Sequence, residues 1–304
     1  MLFLIYSINI KLPYNPEDFK GDSYMNSILE IHKLKKGYKN SDFELKINNL
    51  NVYPSEVIGL IGENGSGKST LINLLSGNKF PDNGTIHLLG RDLYTLNNKD
   101  KENLGVAFDD LRIPSKLNIN QINEIFKKIY SQWDVSLYFK IVKQFNLPLY
   151  DSISTFSRGM RMKLSLIIAI SHKSRLLVLD EITSGVDVSG REEIQDLLND
   201  YQKNNNSIII TSHITEDIEK LASILVFMKN GSIIFQEYKN NIKKNYGIII
   251  DSSNMNNYDM KDIVAFRKYK QNTLLLTKNK KKFNADPIKN IEEVIKIIMK
   301  GEVL

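Results

Sequence analysis

Nine residues, Gly62-Glu-Asn-Gly-Ser-Gly-Lys-Ser-Thr70, restrict what this chain can fold into more than any other stretch of it. They fit the spacing G-x-x-x-x-G-K-[ST], with Gly62, Gly67, Lys68 and Ser69 at the fixed positions. Glu56-Val-Ile-Gly-Leu-Ile61 before them is an apolar run of strand length. Leu71-Ile-Asn-Leu-Leu-Ser-Gly77 after them has helical apolar spacing and a glycine placed to end the helix. In a strand–loop–helix, glycines at 62, 65 and 67 let the backbone curl until its N–H groups point inward. The new helix adds the positive end of its dipole. Glu63, Asn64, Ser66 and Thr70 complete the loop; Lys68 would neutralise β- and γ-phosphates, and the Ser69 hydroxyl would ligate Mg²⁺. A glycine-rich turn that binds nothing explains the glycines but not the lysine and hydroxyl that follow them. The segment therefore implies a nucleoside-triphosphate site.

A second apolar run, Arg175-Leu-Leu-Val-Leu179, reads as a parallel strand buried on both faces and ends in Asp180-Glu181. Adjacent carboxylates at a strand's carboxyl end can divide two tasks. Asp180 would bind Mg²⁺, and Glu181 would polarise an attacking water. The plain alternative is a helix start, where acidic side chains satisfy free N–H groups. Ile208-Ile-Ile-Thr-Ser-His213 repeats the pattern, a buried-type strand ending in a histidine at the same expected edge.

With Phe156-Ser-Arg-Gly-Met160 and Ser184-Gly-Val-Asp187 placed in order around these elements, the chain resembles the ATP-binding subunit of ABC transporters over about residues 27–237. The resemblance implies two subunits paired head to tail around ATP and Mg²⁺. Ser157 and the N–H of Gly159 would contact the γ-phosphate held by the partner, Asp187 would lie at the dimer seam, and His213 would hold the γ-phosphate and the attacking water. Tyr38 fits the aromatic that stacks on adenine, or else packs as an ordinary core aromatic. Arg158 and Met160 replace the glycine and glutamine of the usual signature. Asp109, in Gly105-Val-Ala-Phe-Asp-Asp110, stands where the family usually has a Mg²⁺-sensing glutamine, with Asp110 one residue away. A carboxylate there can also ligate Mg²⁺ but adds negative charge beside the phosphates. These variations look most like the bacterial exporters linked to peptide antibiotics. The resemblance further implies a second copy or a homologous subunit as partner, a separate transmembrane permease, and a peripheral place on the cytoplasmic face of the membrane.

The pattern gives an α/β fold: a P-loop NTPase lobe with a mainly parallel sheet, an inserted helical lobe and a small C-terminal α+β appendage. Residues 25–237 read as the ATP-binding domain, with the helical lobe at about 110–171. Within that lobe the apolar residues at 122, 125, 126, 129 and 130 predict one helix face. Residues 238–304 contain three strand-like runs, at 246–250, 262–266 and 273–277, and a closing amphipathic helix at 291–299. Residues 1–24 read as a non-native or disordered extension. Met25 directly precedes the first strand-like stretch, and Lys20-Gly-Asp22 can be encoded by a purine-rich ribosome-binding sequence, so translation is expected to start at Met25.

Composition narrows the remaining classes. The chain of 304 residues has no cysteine, which excludes disulfides and thiolate metal sites. Its net charge of +6 is modest, and the basic run at 278–282 is short and without interleaved aromatics, so no nucleic-acid partner is expected. No stretch reaches the roughly 18 apolar residues of a membrane span. The alternatives that share the loop are a ribosome-acting or DNA-associated ABC-type ATPase and a non-catalytic nucleotide-binding regulator. The first usually carries a second such domain or long coiled coils, neither of which is visible; the second is favoured only by Asp109, Arg158 and Met160.

Overall fold

The computed structural model describes residues 27–108, 110–251 and 258–304, so the expectations for residues 1–24 and for Asp109 lie outside the described residues. Strands β1 (Leu29–Tyr38) and β2 (Ser41–Val52) pair antiparallel, Leu29 opposite Val52. Strand β3 (Val57–Ile61), buried at every residue, runs into the glycine loop and helix α1 (Lys68–Leu75). Strands β4 (Asn83–Leu88) and β5 (Arg91–Asp92) extend the antiparallel edge, and the short α2 (Asn98–Lys101) leads to β6 (Leu104–Ala107).

The next stretch is helical: α3 (Ile119–Ile129), α4 (Val135–Gln144) and α5 (Arg158–Ser171). Asn118 and Gln121 start α3 with a reciprocal capping box, each side chain accepting from the other's backbone N–H at 3.0 Å. The apolar face expected for α3 is only partly buried. Ile119 and Ile122 pack inward, while Ile125 and Ile129 stay 40% and 60% exposed, so no neighbouring element covers that part of the face among the described residues. Trp133 packs among Phe126, Tyr130 and Tyr138, and its Nε1 donates to Asn123 Oδ1 at 2.9 Å.

The chain then returns to the sheet through β7 (Leu176–Asp180), α6 (Val188–Lys203), β8 (Ser207–Thr211), α7 (Thr215–Leu221), β9 (Ile224–Lys229) and β10 (Ser232–Tyr238). The ten-stranded order is β5-β4-β1-β2-β10-β9-β3-β8-β7-β6, parallel from β9 to β6 and antiparallel at the β5 end. This is the expected α/β lobe with a mainly parallel sheet. Successive strand residues face opposite sides, so β7 sends Leu177 and Leu179 into one core and Leu176 and Val178 into the other. Adjacent β3, β8 and β7 end at one edge, and their carboxyl-terminal turns meet there.

After α8 (Lys239–Asn245), strands β11 (Gly247–Asp251), β12 (Ile263–Tyr269), β13 (Asn272–Thr277), β14 (Asp286–Pro287) and β15 (Glu302–Val303) form a second, antiparallel sheet in the order β14-β11-β13-β12-β15. Helix α9 (Ile291–Lys300) covers it, with Ile291, Val294, Ile297 and Ile298 buried on one face. These residues belong to the same apolar core as Ile61, Ile218, Leu221 and Phe235 of the first lobe.

Candidate functional site

The glycine loop is shaped by steric exclusion. A Cβ on Gly62 would stand 2.3 Å from Ser66 Oγ and 2.7 Å from the carbonyl of Met228. Gly65 and Gly67 hold φ of 81° and 109°, backbone that side chains oppose. Gly67 precedes α1 without a side-chain cap, which leaves the first-turn N–H groups to an anion. Lys68 is buried and folds back over the loop, its Nζ donating to the carbonyls of Gly62 at 2.5 Å and Glu63 at 3.1 Å. Burial lowers the pKa of the ammonium, and the carboxylates of Glu181 and then Asp180 oppose that shift. Ser66 Oγ is buried without a hydrogen-bond partner in the same cradle. Glu63, Asn64 and Ser69 are exposed along the mouth.

Tyr38 lies beside the start of α1, its hydroxyl 3.1 Å from Thr70 Oγ1, with the Lys79 ammonium 4.2 Å above one ring face. One face of the ring is therefore engaged by a cation.

Across the edge, Thr211 organises the acidic pair. Its Oγ1 donates to Asp180 Oδ1 at 2.7 Å and accepts from the Glu181 N–H at 3.1 Å. Glu181 itself sits at φ 52°. His213 Nε2 lies 2.7 Å from Glu181 Oε1, bringing together the two residues that the sequence placed at the ends of neighbouring strands. The turn carrying His213 is pinned by groups that sequence reasoning missed. Ser212 Oγ donates to Asp217 Oδ2 at 3.2 Å and accepts from Ile214 N at 3.0 Å, while Gln195 Nε2 donates to Asp217 Oδ1 at 2.9 Å. The available signal was Ser212 standing just before the polar helix start Thr215-Glu-Asp217.

Ser157 and Asp187 cap two neighbouring helices. Ser157 Oγ accepts from Met160 N at 3.2 Å, and Asp187 Oδ1 accepts from Gly190 N at 3.0 Å. Gly159 packs near the Gly185 carbonyl, where an added Cβ would come to 3.5 Å. Ser157 and Asp187 are exposed. The structure thus joins Ser157, Gly159 and Asp187 into one surface, and joins Lys68, Asp180, Glu181 and His213 into another; no hydrogen bond among the described residues links the two sets. Asp109 follows β6 and Phe108 but lies outside the described residues.

The glycine cradle, the orphaned Ser66 hydroxyl and the buried lysine fit a polyphosphate. Ser69 and Asp180 offer the hydroxyl and carboxylate oxygens that Mg²⁺ takes beside phosphates. The fold and this edge define a P-loop NTPase. A profile of the ABC transporter family matches residues 45–184. The chain is 30% identical over 209 residues to the ABC transporter ATP-binding protein YtrB of Bacillus subtilis (strain 168), covering 68% of this chain and 70% of that one. It is 28% identical over 212 residues to the lantibiotic transport ATP-binding protein SrtF of Streptococcus pyogenes, covering 69% and 90%. A solved ATP-binding subunit of an ABC transporter superposes with a TM-score of 0.65 at 22% identity, over 72% of this chain and 92% of that one. The chain belongs to the ABC transporter ATP-binding proteins.

Proposed function

We propose that this protein is the ATP-hydrolysing subunit of an ABC exporter, working as a head-to-tail dimer on a separate transmembrane permease. The observation that carries the catalytic part is the Glu181–His213 pair at 2.7 Å, set beside the buried Lys68 and next to Asp180. Lys68 offsets the charge of the β- and γ-phosphates. Ser69 and Asp180, with Asp109 from the segment after β6, would hold Mg²⁺, which would supply further charge neutralisation across the phosphates. Glu181 keeps Oε2 free to orient and deprotonate the attacking water while His213 engages Oε1. His213 then faces the γ-phosphate, and Tyr38 offers the adenine its second ring face.

The dimer reading is supported by the separation of the two surfaces. Ser157 and Asp187 are exposed on their own chain, with the half-buried Gly159 beside them, where a second copy can meet them across its bound nucleotide. Closure would follow ATP binding because each γ-phosphate gains donors from the other subunit, and hydrolysis would remove that bridge. Among the described residues no helix is long and apolar enough to cross a membrane. The proposed permease docks between the lobes near Asp109 and holds the subunit at the cytoplasmic face. The lean to export rests on the likeness to a lantibiotic transport protein.

Glu181→Gln tests both halves. It is expected to bind ATP as the parent does, to lose roughly 10²–10⁴-fold in turnover, and to elute as a dimer only with Mg-ATP. Unchanged turnover would remove Glu181 from its role, and a monomer at saturating Mg-ATP would remove the dimer.

A further inference from the structure

Outside the nucleotide site, the structure buries a carboxylate at the joint between the two lobes. Glu102, 6% exposed, closes α2 and lies two residues before β6, the strand that leads to Asp109. Its Oε1 accepts from Ser131 N at 2.9 Å, and its Oε2 accepts from Ser131 Oγ at 2.9 Å and Gln132 N at 3.2 Å. Both acceptors belong to the sheet lobe and all three donors to the α3–α4 connection of the helical lobe. The Glu102 carbonyl is also in use: His172 Nδ1, at the carboxyl end of α5, lies 2.9 Å from it. The His172 ring, 2% exposed, stacks on Tyr130 at 4.3 Å and 10°. Asp134 N donates to the carbonyl of Ser171 at 2.8 Å, which ties the α3–α4 connection to the same end of α5. Three segments therefore meet on one residue: the root of β6, the α3–α4 connection and the base of α5.

Apolar packing holds surfaces together without fixing their direction, whereas hydrogen bonds are angular. A buried carboxylate satisfied by three uncharged donors is costly to desolvate, and what it adds over an apolar contact is orientation. Orientation matters here because α5 is a lever. Its 14 residues span about 21 Å, with Glu102 at one end and Ser157 at the other. Holding Ser157 within about 0.5 Å of a productive position needs the lever fixed to within about 1.5°.

We propose that Glu102 is a positioning residue, which pins the helical lobe to β6 and so sets where Ser157 and Gly159 are presented. It touches neither nucleotide nor metal and acts through α5 and the α3–α4 connection. What Ser157 then meets rests on the head-to-tail reading; the pin itself does not.

The chain lacks cysteine, so Tyr150→Cys in the helical lobe and Lys203→Cys in the sheet lobe give two unique spin-label sites in the full-length protein. With Glu102 intact, the interlobe distance distribution is expected to be single and narrow. Glu102→Ala should broaden or shift it, and Glu102→Gln, which retains one acceptor oxygen, should fall between them. Affinity of the monomer for a fluorescent ATP analogue should stay within about twofold, because Lys68 and the glycine loop are untouched. Added to Glu181→Gln, Glu102→Ala should weaken Mg-ATP-driven dimerisation about tenfold. An unchanged distance distribution in a cooperatively folded variant overturns the proposal, as does a fall in ATP affinity as large as the loss of dimer. If Glu102→Ala fails to fold, Glu102→Gln decides by the same distances. Should the Glu181→Gln parent never dimerise, the head-to-tail reading falls, while the interlobe distances still rule on Glu102.

Discussion

Glu181 is held at φ 52°, a left-handed conformation that a long side chain resists, by two hydrogen bonds from its N–H to Thr211 O at 3.2 Å and Oγ1 at 3.1 Å. The turn is thus over-determined by its neighbour, and the strain aims the carboxylate at His213. Comparison of two uncharged amides isolates that strain. Made on a His213→Ala background so that neither amide can pair with the ring, Glu181→Asn and Glu181→Gln both remove the charge, but asparagine tolerates this φ far better. Glu181→Asn is expected to be the more stable by about 1 kcal/mol, or roughly 2–4 °C in calorimetric Tm, with turnover lost in both. Equal melting temperatures would mean that no strain resides there. At this scale the glycine loop and the acidic pair were legible because local sterics and charge dictate them. Gly62 admits no Cβ, and the adjacent carboxylates fall at the end of the buried strand β7, Asp180 as its last residue and Glu181 in the turn that follows. Asp217, Gln195 and Thr211 were not legible as site residues, since each acts through a partner distant in sequence.

Elements behave differently, because apolar periodicity names a face without naming what covers it. The spacing in α3 and α9 was readable, yet Ile125 and Ile129 remained outside while Ile291, Val294, Ile297 and Ile298 were fully enclosed. The two-residue strands β14 and β15 carry no periodic signal and exist only through their pairing with β11 and β12. The interlobe joint likewise depends on elements far apart in the chain, and it carries an acid sensitivity. Burial holds the His172 pKa below its ordinary 6.5, against the opposing pull of the Glu102 carbonyl and carboxylate. Burial acts to raise the Glu102 pKa from its ordinary 4.5, but hydrogen bonds from Ser131 and Gln132 outweigh it and leave the carboxyl lowered. The groups facing His172 are Glu102 and the Tyr130 ring. Both titrating groups bind protons more readily when unfolded, so stability present at neutral pH declines as acidity rises, first below about 6.5 through His172 and then below about 4.5 through Glu102. Of the four histidines only His172 is buried. His172→Gln is therefore expected to be less stable at pH 7 yet to lose less between pH 7 and pH 5, as read from urea midpoints. An unaltered slope would clear His172 of the effect.

On the scale of the whole molecule, the segment beyond Tyr238 is joined to the nucleotide-binding lobe by more than the chain itself. Helix α9 lies against α7, which begins two residues after His213. Ile295, Lys296, Met299 and Lys300 line one cleft of ≈ 210 Å³ with Gly62, Glu63, Ser212 and His213. Polar ties reinforce the seat: Ile291 N donates to Glu219 Oε2 at 3.3 Å, Lys239 Nζ to the Glu219 carbonyl at 2.6 Å, and Lys229 Nζ to the Gly301 carbonyl at 3.3 Å. Tyr246 donates to Glu237 Oε2 at 2.8 Å and meets Phe235 edge to face. A chain ending at Tyr238 would uncover the faces of Ile61, Ile218, Leu221 and Phe235 that share this core, each worth about 1.5–3 kcal/mol when fully enclosed. Partial exposure of several such residues amounts to a few kcal/mol, or roughly 10 °C at the 2–4 °C per kcal/mol expected for a domain of this size. The intact protein is accordingly expected to unfold in one calorimetric transition, with no separate step for the second sheet. The shortened chain is expected to melt roughly 10 °C lower and to gain affinity for hydrophobic dyes at 25 °C. Two resolved transitions in the intact protein, or a shortened chain that melts with it, would show that α9 merely rests on the lobe and does not complete its core.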